Sequence, residues 1–469
     1  MGPKLKLFTE NITADTGFFI VNIDVWYNND RAKILEIENQ IRQVLGTQGS
    51  HLLGDLFEIS GLLLGRAKVN EFSLNALLNM DIICVVELPF ETISQEPFEL
   101  YLHDYDPIVH DTLGEDAPLA TVLDSGVFTG NPLLRNVVVA EEDFDTIEQT
   151  ATDMNGHGTG VAGIVVYGDF NSSMEGRVFT PLVRICNGKI MHDESGDPCF
   201  REDVRPEKLV KDAITYFYET YGCRIFNLSA GNSESLYNGG RQFPWASMLD
   251  DLSRELDIVI IVSAGNASTP EINEFASRDE LMKKARDQLF DPEHRLIDPA
   301  TSALSITVGS IARSSEPALP HGAAGNPISA GLKDYPSVFT RIGKGVNKSI
   351  KPDFVDYGGN YSLRQIGRGN NRWLKTDQNL MEPTLNHTTG KMFKGYCGTS
   401  FSAPHVTHMA ARLERALENQ LQERPSTNLI RAMLANSAKC SEEMIAWGMA
   451  STDVHYTGLD NPKRERLNP

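Results

Sequence analysis

Ser400 stands in the stretch Tyr396-Cys-Gly-Thr-Ser-Phe-Ser-Ala-Pro-His405. An apolar series at helical spacing follows it: Val406, Met409, Ala410, Leu413, Leu417 and Leu421. Pro404 falls in the first turn of that helix, where a missing N–H costs nothing. A serine so placed reads as a plain N-cap. It reads equally as a fixed hydroxyl beside a helix end that favours negative charge. A hydroxyl becomes a useful nucleophile when a base takes its proton and a carboxylate fixes the tautomer of that base. The chain offers both groups, each inside a short glycine-bearing motif: Asp124 in Val122-Leu-Asp-Ser-Gly126 and His157 in Gly156-His-Gly-Thr-Gly-Val-Ala-Gly163. The chemistry of such a set is attack on a carbonyl through a covalent intermediate. Taken singly, Asp124 is a turn former, His157 a polar helix-start residue and Asn266 a turn residue after glycine. Together they favour catalysis.

These groups need elements to hold them. Leu119–Gly126, Arg224–Gly231, Asp257–Asn266 and Ala303–Gly309 are apolar strands, and the first three end in small polar residues. Gly156–Gly163 opens a helix whose small residues permit close packing. Alternation of this kind implies a parallel sheet with helices on both faces. In such sheets the functional residues gather beyond the carboxyl ends of the strands, where Asp124, Ser229 and Asn266 all lie. The intervals 267–298 and 356–395 read as insertions, the first helical and charged, the second polar and irregular.

Asp, His and Ser in that chain order follow the subtilisin arrangement of the triad. The three motifs, with Ser263-Ala-Gly-Asn266 and Lys351-Pro-Asp-Phe-Val355, closely resemble the signatures of subtilisin-like serine proteases. The resemblance extends over about 117–440 and implies an α/β, three-layer catalytic domain built on a parallel sheet. It implies that Ser400 attacks the scissile carbonyl, His157 accepts and returns the proton, and Asp124 holds the imidazole. It further implies that Asn266 and the Ser400 N–H receive the oxyanion. Ser229, Ala230 and Gly231 resemble the edge that pairs with an extended peptide. The chain is expected to be a serine endopeptidase acting on protein or peptide substrates without a cofactor. No metal site is expected, because His405 and His408, although three apart, lack a third ligand in the sequence. The alternative is a silent or partner-gated relative in a bacterial defence or regulatory module, working with an AAA-class ATPase.

Residues 1–92 have a different texture. Gly17–Trp26 is strand-like, and a helix runs through Ile34, Ile37, Ile41 and Val44 to Leu45 and ends at Gly46. Leu56–Leu64 reads as one strand, Asn70–Met80 as a helix and Asp81–Leu88 as a last strand. This suits a small α+β domain, and it resembles the inhibitory propeptide domain of the same family. An acidic, proline-bearing linker covers 93–116, the catalytic domain 117–440 and a polar tail 441–469.

Composition narrows the partners. A net charge of −20, from 43 basic and 63 acidic residues, argues against nucleic acid, which needs a basic surface. No apolar run approaches the roughly 18 residues that span a bilayer, so no membrane association is expected. The first residues are too polar for a secretory signal. Six scattered cysteines without a Cys-x-x-Cys pair read as reduced thiols, which favours a cytoplasmic location.

Overall fold

The structure is a computed structural model. It describes residues 17–27, 29–46, 49–59, 61–89, 107–110, 113–114, 116–267, 278–318, 327–365, 372–439 and 461–462. Most of the expected linker and C-terminal tail, and Cys440, lie outside the described residues. The chain divides into two compact units: 1–91 with 200–211, and 92–199 with 212–469.

In the N-terminal unit the strands are β1 (Phe19–Trp26), β2 (His51–Leu52), β3 (Phe57–Ile59), β4 (Leu62–Val69) and β5 (Ile83–Glu87). They form an antiparallel sheet in the order β2-β4-β1-β5, with β3 paired to β4. Helices α1 (Ile34–Leu45) and α2 (Glu71–Leu78) connect them, and the Asn70 side chain caps α2 by accepting from Ser73 N–H. Val21, Ile23, Val25, Ile41, Leu45, Leu63, Ala67 and Leu77 close the core. The tract 56–64 is a hairpin rather than one strand. Phe57 pairs with Leu64 and Ile59 with Leu62, and the chain reverses at Gly61 with a φ of +77°. Apolar content alone cannot reveal such a reversal.

The larger unit is organised on a parallel sheet. Its strands are β6 (Leu119–Asp124), β7 (Val138–Asp143), β8 (Arg184–Lys189), β9 (Ile225–Leu228), β10 (Val259–Ser263), β11 (Ile306–Ile311) and β12 (Phe354–Tyr357). Among the described residues their order is β12-β11-β10-β9-β6-β8-β7, every pairing parallel. The chain enters at β6, fills one side with β7 and β8, then crosses to β9 and builds outward. The topology therefore reverses at β6, the place where such sheets open a crevice beyond their strand ends.

Side chains alternate across the sheet. Val122, Ile185, Ile225, Val259 and Ile261 join the core that also contains helices α3 (His157–Tyr167) and α5 (Ala403–Leu421). Leu123 lies with Phe217 of α4 (Pro206–Tyr221), where Gly188 leaves room for both. Every residue of α3 after His157 is buried, as expected of a helix that is apolar all round. The expected three-layer α/β architecture is borne out. The interval 356–395 departs from expectation, because Glu382–Leu385 and Phe393–Tyr396 pair as an antiparallel hairpin. Among the described residues no helix is long and apolar enough to cross a membrane.

Candidate active site

Asp124 ends β6 and is buried. Its Oδ1 accepts from Ser125 N–H at 2.8 Å and meets His157 Nδ1 at 2.7 Å. A carboxylate on Nδ1 leaves Nε2 as the free position of the ring. His157 is the first residue of α3, and that helix start is held from behind by Asp153. One oxygen of Asp153 accepts from Ser125 Oγ (2.9 Å), Asn155 N–H (3.0 Å) and Gly156 N–H (2.8 Å). The other accepts from Thr159 N–H at 2.8 Å and Thr159 Oγ at 2.6 Å. Asp153 thus satisfies donors that a helix N-terminus leaves over. Burial pulls the imidazole down. The charge and hydrogen bond of Asp124, with a smaller contribution from Asp153, outweigh that and hold His157 above its ordinary value.

Ser400 does not begin the long helix. It occupies a single 3₁₀ turn, Thr399–Phe401, and α5 starts at Ala403 with Pro404 in its first turn. Ser400 is 8% exposed. Among the described residues its hydroxyl donates to the Ser229 carbonyl at 3.3 Å, not to the imidazole. Ser229 returns the contact, its Oγ donating to the Ser400 carbonyl at 3.0 Å. The next residue, Phe401, meets the His157 ring edge-on at 5.3 Å between centroids and stacks on Tyr396 at 4.3 Å. Tyr396 closes the circuit, donating its hydroxyl proton to the Gly156 carbonyl at 2.8 Å.

Asn266 follows β10. Its side-chain oxygen accepts from Thr399 N–H at 2.9 Å and from Thr399 Oγ at 3.1 Å. Because a backbone N–H can only donate, the atom facing it is the oxygen, and the NH₂ is left to donate elsewhere. Gly265 N–H donates to Thr399 Oγ at 3.1 Å. The oxyanion candidate is therefore tied to the residue before the candidate nucleophile. Ala230 and Gly231 continue from Ser229, and the Ile297 side chain packs where Cβ atoms of Gly231 and Gly265 would stand, 3.1 and 2.5 Å from those positions.

The structure thus bonds Asp124 to His157, Ser229 to Ser400, and Asn266 to the Ser400 turn. The remaining candidates have structural partners. His408 Nδ1 lies 2.8 Å from the Val165 carbonyl. His405 Nε2 lies 3.4 Å from Glu382, a carboxylate that Arg313 also engages. Among the described residues no group of three or more ligating side chains forms a metal site. Cys397 packs in a small apolar cluster, and burial pushes its thiol far above the ordinary range. Sequence reasoning passed over Asp153 and Tyr396. An acidic residue just ahead of a helix start is a signal for the first, while nothing local announces the second.

These features define a subtilisin-like α/β protease fold. The chain belongs to the subtilase family, whose model matches residues 116–463. Residues 1–88 match a second model, the Y4kK central domain. The uncharacterized protein y4bN of Sinorhizobium fredii (strain NBRC 101917 / NGR234) is 35% identical over 241 residues, 50% of this chain and 52% of that protein. The match thus spans about half the length of this curated relative. Two solved structures are similar at 17% identity. A lanthipeptide protease has a TM-score of 0.46 and covers 74% of this chain and 87% of its own. The prenylagaramide maturation protease PagA has a TM-score of 0.42 and covers 70% and 87%.

Proposed function

We propose that the chain is a serine endopeptidase that cleaves protein or peptide substrates through Ser400, His157 and Asp124. The observation that carries this reading is the 2.7 Å bond between buried Asp124 and His157, next to a serine turn fastened to both Ser229 and Asn266. Ser400 Oγ attacks the scissile carbonyl as His157 Nε2 takes its proton. The oxyanion is received by the Asn266 NH₂ and the Ser400 N–H, each such donor contributing about 3–4 kcal/mol to the transition state. The C–N bond then breaks as the imidazolium returns the proton to the leaving amine, and water repeats the sequence on the acyl-enzyme. No cofactor or metal is needed for these steps. Ser229–Gly231 offers main-chain groups to an extended peptide. With Ile297 filling the space beside both glycines, the adjoining side-chain site suits a small residue before the cleaved bond. The test is labelling by a fluorophosphonate together with peptide hydrolysis. Both are expected in the natural chain and absent from Ser400→Ala; labelling that survives the substitution refutes the assignment.

A partner-gated reading draws on one observation, the Ser400 hydroxyl resting on the Ser229 carbonyl. In this reading the chain is silent until a partner acts, and an AAA-class ATPase is the partner proposed. Recovery of such an ATPase with the tagged chain, and faster fluorophosphonate labelling in its presence, would favour it. We further propose that residues 1–92 cover or template the catalytic region. N-terminal sequencing of the natural chain and of Ser400→Ala tests this. Cleavage between 90 and 118 is expected in the first only, and an intact chain in both counts against processing.

A further inference from the structure

Arg341 lies in a tract that runs antiparallel to the Asn266 segment. Asn266 bridges Thr340, Ala267 N–H donates to the Phe339 carbonyl at 2.8 Å, and Arg341 N–H donates to the Gly265 carbonyl at 3.3 Å. The Arg341 side chain is buried, and its guanidinium donates to main-chain carbonyls. Nε reaches that of Asn266 at 3.1 Å, and Nη1 reaches those of Glu293 and Arg295 at 2.7 and 2.9 Å. The other buried arginine of the same unit, Arg224, has the carboxylates of Asp257 and Glu414 beside it, and half-buried Arg313 has those of Glu382 and Asp169. Among the described residues no carboxylate pairs with Arg341. Burial alone moves its guanidinium, down to about 10. Buried His294 nearby is held below its ordinary value by its own burial and by the charge of Arg341, which disfavours a second positive charge beside it.

A buried cation without an anion is costly in the resting protein. Such a charge is best placed where negative charge develops during the reaction, since a preorganised group then needs no rearrangement. We propose that Arg341 is a positioning residue of the oxyanion site. It grips the Asn266 carbonyl so that the Asn266 NH₂ is aimed, and it adds a positive field that the tetrahedral oxygen answers. This rests on the protease reading above and adds a residue to it.

The experiment is a double-mutant cycle on the full chain with Arg341→Met, Asn266→Ala and both together. Its readouts are kcat and KM for a chromogenic peptide, the rate of fluorophosphonate labelling of Ser400, and Tm. Arg341→Met is expected to lower kcat and the labelling rate about 10- to 100-fold with KM within twofold, one donor being worth roughly 10²–10³. On the Asn266→Ala background it is expected to cost several-fold less, because the group it positions is gone and only its field is left to lose. Equal losses on both backgrounds, a loss carried by KM, or no loss overturns the proposal. Arg341→Lys keeps the charge but cannot span the three carbonyls, and it serves if the Met variant does not fold. An intermediate loss that vanishes on Asn266→Ala supports the positioning role, while unchanged activity overturns it. Failure of the natural chain to be labelled at Ser400, both alone and with the ATPase, would instead refute the protease reading.

Discussion

Arg205 and Arg341 are both buried arginines in different company. In the N-terminal unit Arg205, 3% exposed, lies between Asp24 at 2.7 Å and Glu207 at 2.6 Å. Arg66 nearby donates to Asn22 Oδ1 at 2.8 Å and to the carbonyls of Arg201, Glu202 and Val204. Burial opposes the charge of Arg205, but the two carboxylates outweigh it and hold the guanidinium above its ordinary range. In the larger unit Arg341, 5% exposed, has carbonyls in place of carboxylates and is moved the other way. The difference teaches how each charge is used. A balanced buried cluster fixes structure, whereas an unbalanced one beside a reaction site is available to a charge that appears only during turnover.

That contrast is sharpest where chemistry is removed without structure. Ser400→Ala is expected to lower kcat by about 10⁶-fold with Tm within a degree or two, measured by peptide hydrolysis and thermal melting. A parallel loss of Tm would mean that the serine turn is a structural joint. Asp124→Asn is expected to cost about 10⁴-fold in kcat by removing the carboxylate that sets the His157 tautomer. A stability change with little kinetic effect would place Asp124 with the balanced charges instead.

Arg205→Met reverses the signature. Removing the cation between Asp24 and Glu207 is expected to destabilise the N-terminal unit by about 3–5 kcal/mol and to leave kcat per folded molecule unchanged. Urea unfolding followed through Trp26 fluorescence, with the other three tryptophans replaced by Phe in both chains compared, reads the first, and active-site titration the second. The same cluster sets a pH dependence. Burial raises the Glu207 carboxyl, but Arg205 outweighs this and holds it below its ordinary value of 4.5. Its stabilisation is therefore complete above that value and is lost as pH falls below it. The Met variant should show a flatter acid limb.

The smallest effect concerns the base. His157 must be neutral to accept a proton, and it is held above its ordinary 6.5. Activity should therefore rise with pH through a midpoint above that value. Asp153→Asn removes one raising charge, so kcat/KM should gain a midpoint lower by a few tenths of a pH unit, about 0.5 kcal/mol at most. An upward shift would contradict the charge assignment.

Much of this was legible because the motifs coincide with strand ends and a helix start. Asp124, Ser229 and Asn266 are polar residues closing apolar runs, and His157 opens a helix of small and apolar residues. Other parts were hidden for physical reasons. The hairpin of 382–396 has Glu382, Thr384 and Lys394 buried among its apolar residues, so the alternation that signals a half-exposed strand is absent. The Ser60-Gly61 pair is a turn signal, but it sits inside an apolar run that reads as one continuous strand. Arg341 reads as a surface residue by type, and its acceptors are main-chain oxygens about fifty and seventy-five positions away, which no side-chain pattern encodes.

The helix that begins at His157 has no face open to solvent along its remaining ten residues. A partner or a modifying enzyme finds nothing there to hold. The imidazole is thus a fixed pivot, anchored by a helix buried between the sheet and the elements that cover it. On the proposed mechanism, tuning of turnover falls to the groups around that fixed ring, above all the turn that carries Ser400.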